Sequence, residues 1–189
     1  FHGGDLYIGA YSNVNRIAML FVMVVMGLNQ GMQPIVGYNF GARKIDRVIR
    51  TLKYVICCAV GVTTTGFTVC QLFPRYITML FTDDPTLLDI SSHALRIVLA
   101  MFPFIGFQMV TSNFFQSIGM APKAIFLSLT RQLLFLVPFL LTLPIFFEAD
   151  GVWMSMPLAD AAATTLAAIL LWRQFRKFRT MQHQPSLHP

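Results

Sequence analysis

The sequence predicts an all-α integral membrane protein, and three observations carry that reading. Of its 189 residues, 56% are apolar and only 12% charged, where a soluble domain carries about 25% charged residues. The mean hydropathy is +0.63. The apolar residues gather in five continuous runs, each near the roughly 20 residues that a helix needs to cross a bilayer. None alternates in the way a half-buried strand does.

The first span, at about 13–40, ends in the stretch GLNQGMQPIVGYNFGA at 27–42. Amides cost free energy in hydrocarbon, so Asn29, Gln30 and Gln33 should face protein or water. Gly27 and Gly31 have the G-x-x-x-G spacing that lets a neighbouring helix approach closely. Pro34 removes a backbone hydrogen bond and kinks the helix. Gly27, Gly31 and Pro34 are therefore the expected hinge and packing residues. After a basic loop at 43–53, the second span is expected at about 54–81, passing Pro74. The third, at about 95–118 with Pro103 inside, follows a loop where Asp83 or Asp84 can cap a helix and Pro85 fits its first turn. The fourth, about 124–147, and the fifth, about 152–172, flank Glu148, Asp150 and Gly151, which read as a turn. Residues 1–12 read as an outer-side loop and 174–189 as a cytoplasmic tail without regular structure.

Charge distribution orients the spans. Five Lys and Arg lie at 43–53 against one acid, Asp46; Lys123 precedes the fourth span, and four more cations lie at 173–179. The opposite helix ends hold Asp5, Asp83, Asp84, Asp89, Glu148 and Asp150 with Arg75 and Arg96. Lys and Arg excess marks the cytoplasmic side, so the N-terminal end lies outside and the C-terminus inside. The net charge of +6 and pI of about 9.6 thus reflect loop orientation and contact with anionic lipid, not nucleic acid. Cys57, Cys58 and Cys70 lie in one apolar run without metal spacing and read as small buried hydrophobes. The chain opens on Phe1 without a signal-peptide layout, and a piece of a longer protein is expected.

The polar residues inside the spans are few and patterned. At 100° per residue, Asn15, Asn29 and Gln33 fall within about 40° of one another. In the third span Gln108, Ser112, Asn113 and Gln116 occupy a sector of about 140°. Such stripes serve either as interhelical hydrogen bonds or as the lining of a water-filled pathway. Asp160 is the one acid well inside a span, suited to proton exchange or cation pairing. Arg131 is expected to snorkel to the nearer surface, as is Arg16, with pairing to a carboxylate the alternative for Arg131. No nucleophile–base pair, phosphate loop or metal cluster appears, so neither an enzyme nor a metal site is expected.

On these residues the chain resembles the C-terminal half of the multidrug and toxic compound extrusion (MATE) family. The stretch at 27–42 resembles that family's signature closing its eighth helix. FTDDP at 81–85, NFFQSIG at 113–119 with Pro122 and Lys123, and GVWMSMPLAD at 151–160 resemble further family segments. The resemblance implies five helices of a six-helix bundle, half of a twelve-helix, two-lobe transporter in the plasma or bacterial inner membrane. It implies alternating access driven by protons or sodium, with no other cofactor, and cationic amphiphilic drugs as cargo. Its partners would be membrane lipids and the missing N-terminal bundle. Some branches place a coupling acid in helix ten, and the matching span here has none.

The expected cargo cavity is lined by Asn29, Gln33, Gln108, Asn113 and Gln116, with Asp160 available for ion coupling. Three rivals stand beside this: a lipid-linked oligosaccharide flippase of the same superfamily, an integral-membrane enzyme, and a non-transporting fragment or partner subunit.

Overall fold

The computed structural model describes residues 2–182, with side chains described for 6–145 and 151–180. In a bilayer each backbone polar group must be satisfied within its own segment, and among the described residues every regular element is helical. Five stretches are long and apolar enough to cross a membrane: Leu6–Gly41, Ile45–Leu72, Pro85–Ser117, Ala121–Ile145 and Gly151–Thr180.

Helix α1 (His2–Gly41) carries Pro34 without ending, and residues 2–12, expected as a loop, are its first turns. It closes at Arg43, whose φ of 57° is left-handed. Arg43 N–H donates to the Phe40 carbonyl and Lys44 N–H to the Asn39 carbonyl, the Schellman pattern that satisfies orphan helix-end carbonyls. Helix α2 (Ile45–Leu72) starts at once, so most of the expected basic loop is helical. Arg and Lys are good helix formers, and the tight reversal at Arg43 needs no longer loop. Helix α2 stops at Phe73, because Pro74 has no N–H to continue it. A single short turn, α3 (Pro74–Thr78), follows, so the second span does not run on to 81.

Helix α4 (Pro85–Val98) begins well before the expected start near 95. The Asp84 carboxylate caps it, accepting from Thr86 N–H at 2.9 Å and Leu87 N–H at 3.4 Å. The chain then passes a 3-10 turn, Leu99–Met101, into α5 (Phe102–Ser117). Helix α5 closes as α1 does, here with Gly119 at φ 77°. Helix α6 (Ala121–Leu129) leads through a π-helical stretch, Thr130–Leu136, into α7 (Val137–Gln182). The path of α7 doubles back: a Cβ on Gly151 would lie 2.5 Å from the Leu143 carbonyl oxygen, where eight residues of straight helix would span about 12 Å. The fourth and fifth spans are therefore an antiparallel hairpin, with Lys123–Gln174 and Arg131–Asp160 as its polar rungs. Residues 174–182, expected in the tail, continue the helix. The side chains of Asp5, Glu148 and Asp150, and residues 183–189 of the expected tail, lie outside the described residues.

The helix ends sort into two faces. At the basic end, Phe40 packs on Phe178 with ring centroids 6.0 Å apart. At the acidic end, Trp153 meets Tyr7 at 5.7 Å and His93 at 6.0 Å. One apolar cluster around Met32, Leu52, Phe114 and Phe178 fills the basic half, and another around Ile17, Leu95, Phe102 and Trp153 fills the acidic half. A close helix approach lies at Gly106. A Cβ there would lie 2.8 Å from Thr63 Oγ1 and 2.9 Å from the Ala59 carbonyl oxygen.

Candidate functional site

Helices α1 and α5 run side by side in the same direction. Phe21 meets Phe102 edge-on at 6.0 Å, and a Cβ on Gly37 would lie 3.4 Å from the Ser117 carbonyl oxygen. This register sets Asn29 about level with Gln108, and Gln33 about level with Asn113, by the shared 1.5 Å rise. Asn29 and Gln108 are both buried, at 3% and 6% exposure. Asn29 has no protein partner for Oδ1 or Nδ2. Gln33 is exposed and Asn113 half-buried, its amide donating to the Met109 carbonyl at 3.4 Å.

The expected stripe on α1 is split. The buried face passes through Val25, Met32 and Val36. Asn29 sits at its edge, while Asn15 and Gln33, roughly 40° further round, are exposed. Gln116 departs from the group. With Ser112 it lines a separate cavity of about 300 Å³ against Ala121, Ala124, Ile125 and Ser128 of α6. Gly27 and Gly31 meet no atom within 4 Å of a Cβ built on them, so the G-x-x-x-G face carries no neighbouring helix within the described residues. Close helix approach occurs instead at Gly106 and at Gly66, where a Cβ would touch the Phe21 ring at 2.8 Å.

The second polar feature is an ion pair. Arg131 Nε donates to Asp160 Oδ1 at 2.7 Å, and Nη2 lies 2.6 Å from the same oxygen. The Asp160 side chain is 3% exposed and that of Arg131 41%. Arg131 therefore pairs with a carboxylate rather than snorkelling to the surface. It is the second residue of the π-helical stretch, where the winding leaves the 3.6-residue period on which a sequence reading relies. Residues 131 and 160 are 29 apart, and no local spacing signals the pair. His93 against Trp153, and the Thr164 hydroxyl 3.5 Å from the Phe104 carbonyl, place Asp160 about level with the 3-10 turn at Leu99–Met101 by helical rise. Helix irregularities on neighbouring spans thus share one level with the ion pair. The Thr63 hydroxyl adds bonds to the Ala59 carbonyl at 2.9 Å and the Pro103 carbonyl at 3.3 Å.

Five membrane-length helices, buried amides and an intramembrane ion pair define a multi-pass membrane protein. A family model described as MatE matches residues 1–142, and the chain belongs to that family of multidrug and toxic compound extrusion proteins. Among curated relatives, the multidrug export protein MepA of Staphylococcus haemolyticus (strain JCSC1435) is 24% identical over 169 residues, 89% of this chain and 37% of the relative. A solved structure of the MATE multidrug transporter DinF-BH is similar at TM-score 0.81 and 37% identity, covering 91% of this chain and 39% of that one. An outward-facing multidrug resistance MATE family transporter of the MOP superfamily shares the fold at TM-score 0.85 and 22% identity, covering 96% and 41%. The chain thus spans about two fifths of the length of the proteins it matches.

Proposed function

We propose that this chain forms most of one lobe of a secondary active exporter, which moves small cationic amphiphilic drugs outward in exchange for protons or sodium by alternating access. The observation that carries the reading is the paired placement of amides on α1 and α5, Asn29 level with Gln108 and Gln33 level with Asn113. Polar groups inside a membrane protein mark a pathway when they face a cavity. The exposed Gln33 would then look toward the remainder of the transporter, an N-terminal bundle, with Gly27 and Gly31 about 120–160° further round the helix. Gln116 would extend the polar route toward the basic end. Pro34, the Leu99–Met101 turn and the Thr130–Leu136 stretch supply places where helices bend during rocking, as π-bulges and prolines do elsewhere.

Loop charge supports an N-terminal end outside the cell and a C-terminus in the cytoplasm of a plasma or inner-membrane protein. In this scheme Asp160 takes part in ion coupling only through its bond to Arg131. The flippase alternative needs free cations at depth for anionic cargo; Arg131 is engaged by Asp160 and Arg16 stands on the outer surface of α1.

The test is drug efflux from cells expressing the protein in its full-length native context, with membrane abundance measured in parallel. Gln33→Leu and Asn113→Leu are each expected to change the resistance profile at unchanged abundance. Unaltered efflux in both variants would remove the cavity assignment.

A further inference from the structure

At the basic end, cations extend beyond the depth at which two exposed aromatic side chains stand. Tyr54 is 67% exposed and Trp172 58% exposed. Tyr54 lies nine residues into α2, about 13 Å below that helix's start by the helical rise. Phe178 packs beside Phe40 at the end of α1, so Trp172, six residues earlier, lies about 9 Å below that end. Exposed Tyr and Trp at a common level form the belt that sits at a membrane–water interface. The Arg176 guanidinium stacks over the Trp172 ring, 4.9 Å from its centroid, so it stands directly on the belt.

Beyond the belt the described charges are basic save one carboxylate, and Tyr38, 75% exposed, stands among them near the end of α1. The first turns of α2 with the preceding turn carry five cations at 43–53, and the last turns of α7 carry four at 173–179, all exposed, against the single carboxylate of Asp46. The Phe40–Phe178 contact sets the end of α1, three residues before Arg43, against the last turns of α7. Lys44, Asp46, Arg47 and Arg50 also line an open groove of about 320 Å³. The acidic end differs: Arg75 lies 3.9 Å from Asp89, with Asp83 and Asp84 nearby in sequence.

We infer that this collar, centred on Arg47, Arg50, Arg176 and Lys177, is a binding surface for the headgroups of anionic phospholipids in one leaflet. Rigid helices that cross the bilayer hold the cations at headgroup depth, where Lys and Arg are drawn to anionic lipid and the attraction fades within a Debye length. Nucleic acid would have to approach the same charges through the headgroup layer.

The test uses the purified protein in phosphatidylcholine vesicles carrying trace spin-labelled phosphatidylglycerol or phosphatidylcholine. Immobilised lipid is counted by electron paramagnetic resonance. The expected preference for phosphatidylglycerol is about threefold or more, falling toward one at about 0.5 M salt as screening predicts. Combined Arg47→Gln, Arg50→Gln, Arg176→Gln and Lys177→Gln should abolish the preference with helicity retained. Arg75→Gln with Arg96→Gln should leave it intact. A separate arm places the belt: Trp153→Phe leaves Trp172 as the sole tryptophan, and brominated lipids should quench it most when the bromine lies near the glycerol. Equal binding of the two lipids, equal loss in the acidic-end variant, or strongest quenching by bromine near the chain ends would each overturn the proposal.

Discussion

Arg131 and Asp160, 29 residues apart, meet through two guanidinium nitrogens on one carboxylate oxygen and tie the fourth span to the fifth in the interior of the bundle. The carboxylate is almost wholly buried and the guanidinium is not, so the two partners respond unequally to removal of the other. Arg131→Leu leaves a buried charge uncompensated, a loss of about 3 kcal/mol or more for such a pair. Arg131→Leu combined with Asp160→Leu removes both charges and should recover most of that loss. Thermal unfolding of the single and double variants in detergent micelles measures the coupling. Equal destabilisation in both would show that the pair contributes nothing beyond packing.

The two Schellman turns at the basic end make opposite predictions. Arg43 occupies the left-handed position that Gly119 occupies in the second turn, and a non-glycine residue there costs about 1–2 kcal/mol. Arg43→Gly should stabilise the chain by about 1 kcal/mol, and Gly119→Ala should destabilise it by a similar amount. Melting temperatures moving in opposite directions are the expected readout. Because Arg43 lies beside the lipid collar, the measurement belongs in neutral detergent.

Gly106 fits against the backbone of α2 with no room for a methyl group, since a Cβ would meet the Ala59 carbonyl oxygen at 2.9 Å. Backbone cannot rotate away as a side chain can. Gly106→Ala should cost about 1–3 kcal/mol, the range for overpacking. Gly27→Ala and Gly31→Ala, inside α1 where nothing lies within 4 Å, should instead stabilise the chain studied alone by about 0.5–1 kcal/mol each. Size-exclusion monodispersity after a temperature series separates the three variants.

Asn29 is buried with no protein partner for either side-chain amide atom, an arrangement that costs about 1–3 kcal/mol per unsatisfied group. Asn29→Leu should therefore raise stability while lowering drug efflux, the signature of a group kept for function at a cost to folding. A variant that loses stability instead would place Asn29 in a structural hydrogen bond made in the full-length protein.

Composition and the length of the apolar runs were enough to establish five membrane-spanning helices, because a bilayer admits few other ways to satisfy backbone polar groups. A helix start at Pro85 was legible too, with the cap open between Asp83 and Asp84, since capping is a local event set by adjacent side chains, although the span itself was expected only from about 95. The starts of α1 and α2 were misjudged because helix extends beyond the apolar patterning, and the end of α2 at Phe73 because a proline stops it early. What belonged to tertiary structure was each contact between distant residues. The Arg131–Asp160 pair depends on a π-helical winding that shifts side chains off the 3.6-residue period. The split of the α1 stripe depends on which face α5 covers, a choice of roughly 40° that periodicity alone leaves undecided. The close approach at Gly106 rather than at the G-x-x-x-G pair arises because a glycine marks permission for contact, while only the packed neighbour decides whether contact is made.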